Sequence, residues 1–145
     1  SKRQYVSTPT LDDKSPHPKQ VGVRAINLLK ERGLYPALKV FKDPSRGFLD
    51  TKGTGLHVIG FTREGIVFLD NSGQTRPGMN IGGILDLEGK KLLPQFLDVA
   101  TGKNDGIFRS KGVWPHPKTH DVGPMSAWCG MLTEEDVICV LEWDK

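Results

Sequence analysis

Few side chains in this 145-residue sequence have types and spacings that do chemistry: two cysteines, four histidines, three tryptophans and scattered charges. Cys129 and Cys139 flank the short segment Thr133–Glu135. If that segment is the turn of a hairpin and Leu132 faces Asp136, Cys129 falls opposite Cys139. The same register sets Ala127 against Leu141, Met131 against Val137 and Met125 against Trp143. One face then becomes wholly apolar, which is what fixes a register. Opposed Cβ atoms lie about 4.5–5.5 Å apart, and a non-hydrogen-bonded pair comes close to disulfide geometry. The pair is either a cross-strand disulfide, which implies an oxidising compartment, or two buried thiols packing as small hydrophobes.

Alternation along Gly55–Phe61 sets His57, Ile59 and Phe61 on one face. His57 there is either a pH-switchable donor or a satisfied core residue. Asp70 ends the run Gly65–Asp70, sharing a face with Ile66 and Phe68 on strict alternation. A carboxylate in that position either meets a cation or starts the turn Asn71-Ser72-Gly73. Arg76, in SGQTRPGMN, carries a fork suited to a carboxylate or is a solvated loop residue. Trp114 and Trp128 are either walls of a binding site or core. His116, His120 and Asp121 have metal-ligand types, but no helix aligns the HxxxH spacing, and an exposed turn is the simpler reading. No metal or cofactor is expected. No Ser/His/Asp, Cys/His or paired-carboxylate set is readable by spacing, so no enzymatic activity is expected.

The elements that must position these residues follow from periodicity. Residues 20–42 repeat apolar side chains at three- and four-residue steps, an amphipathic helix interrupted near residues 33–35 by Gly33 and Pro36. Beyond Phe48 the period becomes two. Strands are expected at 55–61 and 65–70, joined by the turn Thr62–Glu64, and again at 106–114, 123–132 and 136–143. A long Gly-rich connection spans 71–89 and a short helix spans 90–101. Gly and Pro together are 27 of 145 residues, an excess that reads as tight turns between short strands. The length is that of a single domain. The order describes an α+β fold, with a long N-terminal helix packed on a five- to six-stranded antiparallel sheet. Residues 1–19 read as an extended arm or linker and 20–145 as the domain.

The net charge is +3, carried by the first 46 residues, where ten basic residues face four acidic ones; this balance gives no reason to expect nucleic acid as a partner. No run of 18 apolar residues exists to cross a membrane.

Several segments, in order, resemble a single Cache domain, the extracytoplasmic relative of the PAS fold. AINLLKERGLYPALKVFKDPSRGFLD resembles the family's N-terminal helix, its break and its approach to the sheet. GLHVIGFTREGIVFLD resembles the first hairpin, and GMNIGGILDLEGKKLLPQFLDVAT the connection and helix after it. VWPHP resembles the Trp- and Pro-containing segment before the last hairpin. The likeness runs from about Val21 to Trp143 and implies a PAS-like, periplasmic or extracellular sensor of the kind found in chemoreceptors, histidine kinases and cyclases. Such domains bind small polar metabolites, amino acids or carboxylates among them. The ligand would lie on the sheet face opposite the long helix, under the connection after the first hairpin. His57, Ile59, Phe61, Phe68, Asp70, Arg76, Met79, Asn80, Trp114, Met125 and Trp128 are the ligand-site candidates on this reading. Asn80 matches the family's G-x-N, whose Asn holds the loop. Two copies would pair through the N-terminal helix. The chain departs from the family at Asp70-Asn71, where His-Pro is frequent, and in the penultimate strand, where Met125 and Trp128 replace a Lys followed by an aromatic. That missing Lys argues against simple carboxylate recognition. A ligand-free PAS-like interaction module is the alternative. The polar arm before the helix and the stop after the last strand favour a stand-alone exported protein over a receptor fragment.

Overall fold

The computed structural model describes residues 17–50 and 52–144. The expected arm lies outside them over residues 1–16, while residues 17–19 already belong to a helix. Helix α1 (His17–Arg32) ends where Gly33 takes φ +80°, and α2 (Leu34–Phe41) restarts at once, with Pro36 in its first turn where a missing donor costs little. Strands β1 (His57–Thr62) and β2 (Val67–Asp70) form the first hairpin. Helix α3 (Leu92–Ala100) follows, then β3 (Ile107–Ser110), β4 (Met125–Met131) and β5 (Asp136–Trp143). They form one antiparallel sheet in the order β2-β1-β5-β4-β3. The third strand is shorter than its expected span 106–114, because the chain turns away at Lys111-Gly112, where Gly112 takes φ +141°.

The β4–β5 register pairs Met125 with Trp143, Ala127 with Leu141, Cys129 with Cys139 and Met131 with Val137. Leu132 N–H donates to Asp136 O, so Cys129 and Cys139 form a non-hydrogen-bonded pair, the closer kind, with Cα atoms 4.1 Å apart. They are joined as a disulfide.

The sheet carries a hydrophobic layer on each face. Helices α1 and α2 cover Val58, Leu69, Trp128, Ile138 and Val140. Helix α3, with Ile81 and Trp114 from the two long connections, covers Ile59, Phe61, Met125, Ala127 and the disulfide.

Trp128 packs against α1 in a slot made by glycines. A Cβ on Gly22 of α1 or on Gly130 of β4 would overlap its six-membered ring, and one on Gly106 would overlap its Nε1 edge.

Candidate functional site

The face opposite α1 is assembled by β1, β4 and β5, whose alternation points every second side chain away from the helix. His57, Ile59 and Phe61 share this face, opposite Leu141, Cys139 and Val137 of β5. His57 is fully buried, with its ring stacked on Trp143 at 5.7 Å and an interplanar angle of 12°. Its Nδ1 lies 3.0 Å from the Gly55 carbonyl oxygen, which can only accept, so the proton sits on Nδ1. Nε2 is buried and has no partner among the described residues. Burial holds the His57 pKa below its ordinary value, against the opposing pull of the Asp70 charge and the Gly55 carbonyl.

Asp70 also lies on this face, level with Ile59. Its carboxylate accepts four hydrogen bonds: from Ser72 N and Oγ at 2.9 and 2.6 Å, and from Thr75 N and Oγ1 at 2.9 and 2.7 Å. It builds the turn that begins the long connection. Trp114 is buried against Phe96 of α3, edge-on at 6.4 Å. Its Nε1–H donates to Gln74 Oε1 at 2.9 Å, while Gln74 Nε2 donates to Pro115 O at 2.8 Å. One glutamine therefore latches the connection after β2 to the connection before β4. Trp143 Nε1–H donates to Trp114 O at 3.0 Å and extends the latch to the end of β5. Met125 packs in the same layer, opposite Trp143.

The remaining candidates are placed elsewhere. Phe68 packs on the helix side, against the layer that holds Val58 and Leu69, because the β1–β2 ladder slips between Gly60 and Phe61. Gly60 faces Leu69 but Phe61 faces Val67, so Phe68 is an extra residue and strict alternation fails there. Trp128 also lies on the helix side and does not wall a site with Trp114. Arg76, Met79 and Asn80 are exposed. The Arg76 side chain has no partner among the described residues, Met79 S accepts from Arg76 N–H, and Asn80 Oδ1 accepts from Gly82 N–H at 2.7 Å. His116 and His120 diverge. His116 is buried, its Nδ1 accepting from Lys118 N–H and Thr119 N–H and its Nε2 donating to Gly53 O at 3.0 Å, whereas His120 is exposed. No group of three or more metal-ligating side chains occurs among the described residues.

Two polar residues that periodicity does not single out hold the site together: Gln74, described above, and Asn71. The buried Asn71 amide donates to Phe41 O and Phe48 O and accepts from Val58 N–H, tying α2 to the hairpin. The face itself is packed with this chain's own side chains. Among the described residues, surface cavities of about 300 to 510 Å³ lie around the domain, and the ligand-site candidate Trp128 lines the one of about 510 Å³.

No protein-family model matches the chain, and no curated protein matches it. Solved structures do. The chain is similar to a methyl-accepting chemotaxis protein from Vibrio parahaemolyticus (TM-score 0.63, 18% identity, 84% of this chain and 80% of that one). It is similar to a periplasmic sensor domain of a chemotaxis protein (0.58, 13%, 86% of each). It is similar to a Cache chemosensory domain whose structure describes carboxylic acid recognition (0.59, 12%, 86% of this chain and 84% of that one). The fold is that of Cache-like sensor domains: an antiparallel five-stranded sheet with a long helix on one face.

Proposed function

We propose that this chain is the extracytoplasmic input domain of a signalling protein, non-catalytic, which recognises a small polar metabolite on the sheet face opposite α1. His57 carries the reading. A fully buried imidazole nitrogen without a partner on that face is a polar group held ready for one. The disulfide supports an oxidising, periplasmic or extracellular location. The likeness to three chemotaxis sensor domains supports the sensing role. No helix among the described residues is long and apolar enough to cross a membrane.

The ligand would be an amino acid or a carboxylate, with an amine favoured over a lone carboxylate because the penultimate strand has Met125 where the family's Lys would stand. The ligand reaches His57 only if the Trp114–Gln74–Pro115 latch opens, so binding shifts the population of an open form by its differential affinity. Two copies would pair through α1, which presents the half-buried Leu28 beside exposed Arg24 and Glu31. The closed face and the fully bonded Asp70 carboxylate favour a second reading, a ligand-free interaction module.

Thermal shift across a panel of amino acids and small carboxylates separates the two. A stabilising compound whose effect disappears in His57→Phe supports the sensor. Silence across the panel, both in the native chain and in Gln74→Ala with its latch loosened, leaves the interaction module.

A further inference from the structure

The cavity of about 510 Å³ lies at the sheet edge. It exists because β3 is short. Strand β3 pairs with β4 only from Met125 to Trp128, and β4 runs on to Met131. Leu132 N–H points to β5, so by alternation the Met131 N–H points outward, where no backbone partner meets it among the described residues. The opening is bounded by α1 on one side and the end of α3 on the other, and its size is within the range of small-molecule sites.

The lining is amphipathic. Ile26, Val99 and Met131 give an apolar floor. The Trp128 indole edge lines it, and its Nε1–H has no acceptor among the described residues. Arg63 is anchored through Nε to Glu134 O and through its backbone N–H to Glu135 O, which leaves its terminal guanidinium nitrogens without partners among the described residues. Lys19, Asp105 and Glu134 also line the groove, Glu134 beside Arg63. Asp105 and its neighbour Asn104 are consecutive non-glycine residues at φ 53°, a left-handed turn of the kind that collects at binding sites. The groove therefore brings N–H donors, cations, carboxylates and apolar side chains into one lining.

We propose that this edge groove is a second binding site, for a free α-amino acid with an apolar side chain. The α-carboxylate is held by Arg63 and the Trp128 and Met131 N–H groups, the ammonium by Asp105 and Glu134, and the side chain rests on Val99 and Met131. The site is independent of the central face and holds whether or not that face admits a ligand.

Isothermal titration of the whole chain with L-leucine and L-phenylalanine tests it, with N-acetyl-leucine and leucinamide as probes lacking one charge. Leucine should bind, and removing either charge should weaken it about tenfold or more, the worth of a charged hydrogen bond. Arg63→Ala should cost a similar factor. Ala100→Trp, at the half-buried last residue of α3, should fill the groove and abolish binding, with far-ultraviolet circular dichroism confirming that the fold is kept. His57→Phe, which keeps the ring stack of the central face and lies outside the groove lining, should leave it unchanged. Failure of both amino acids to bind, or undiminished binding to Ala100→Trp, overturns the proposal. Binding lost in His57→Phe but kept in Ala100→Trp overturns it as well, and assigns the ligand to the central face.

Discussion

His57 meets the Gly55 carbonyl through Nδ1 and stacks on Trp143, so its ring is fixed in orientation and in tautomer. A second proton on Nε2 would enter a buried position with no acceptor among the described residues. Desolvation accordingly depresses the folded pKa below the ordinary 6.5, with Asp70 opposing and His116 adding to the shift. The sign follows from linkage. Above about pH 6.5 both states are neutral and the contribution of His57 is complete. Below it the unfolded chain takes up a proton that the folded chain resists, so stability falls as pH drops through 6.5 towards the folded value. Asp50 acts in a separate, more acidic window. Its carboxylate accepts from the Gly53, Lys52 and Thr54 N–H groups and is held at about 2 rather than 3.8, so its contribution is lost as pH falls from 3.8 towards 2. Urea midpoints measured from pH 8 to 4 should decline below 6.5 in the native chain and decline less in His57→Phe, which keeps the ring stack without the titrating nitrogen. Parallel curves for the two proteins would show that His57 does not carry the dependence.

At the scale of elements, α1 and the sheet approach closely because Gly22 and Gly130 leave room for the flat indole of Trp128. Two effects compete at Gly22. Alanine has the better helix propensity, by about 1 kcal/mol. Its Cβ would overlap the Trp128 ring, and overpacking of a tight core typically costs about 1–3 kcal/mol. The overlap should win, so Gly22→Ala should be less stable than the native chain in chemical denaturation, and the loss should shrink when Trp128→Leu is added. A gain in stability would mean that α1 moves freely enough to accept the methyl. Local signals made much of this architecture legible in advance. The helix break at Gly33, the two hairpins, α3 and the β4–β5 register all rest on residues a few positions apart. The slot around Trp128 was not legible, because alternation says which side of β4 the indole leaves but not what covers it. Phe68 failed for a related reason: a bulge follows from pairing with β1, and no local period shows it. Gln74 and Asn71 read as ordinary loop residues because their side-chain partners lie 13 to 41 residues away. The candidate site was thus readable as a face but not as a latch.

Across the whole molecule, β5 is the member that everything else grips. It lies at the centre of the sheet between β1 and β4, and its last residue, Trp143, donates through its backbone to Thr54 O and through its indole to Trp114 O. The strand thereby joins the central face to the latch. The disulfide locks β5 to β4 from within the apolar layer, where both cysteines are buried. It closes a small loop, a sequence separation of ten residues, and on chain-entropy grounds that is worth about 2–3 kcal/mol. Little of that should come from the contacts in the layer, because two thiols fill almost the same space and pack as small hydrophobes. Replacing both cysteines by alanine removes the sulfur atoms as well as the bond, whereas chemical reduction removes the bond alone. Reduction should therefore lower stability by about 2–3 kcal/mol while far-ultraviolet circular dichroism stays native, and the double alanine variant should lose more, by the packing of two buried sulfurs. If the reduced protein were as stable as the oxidised one, the β4–β5 register would be held by its apolar face alone, and the bond would have no part in keeping the sheet in one piece.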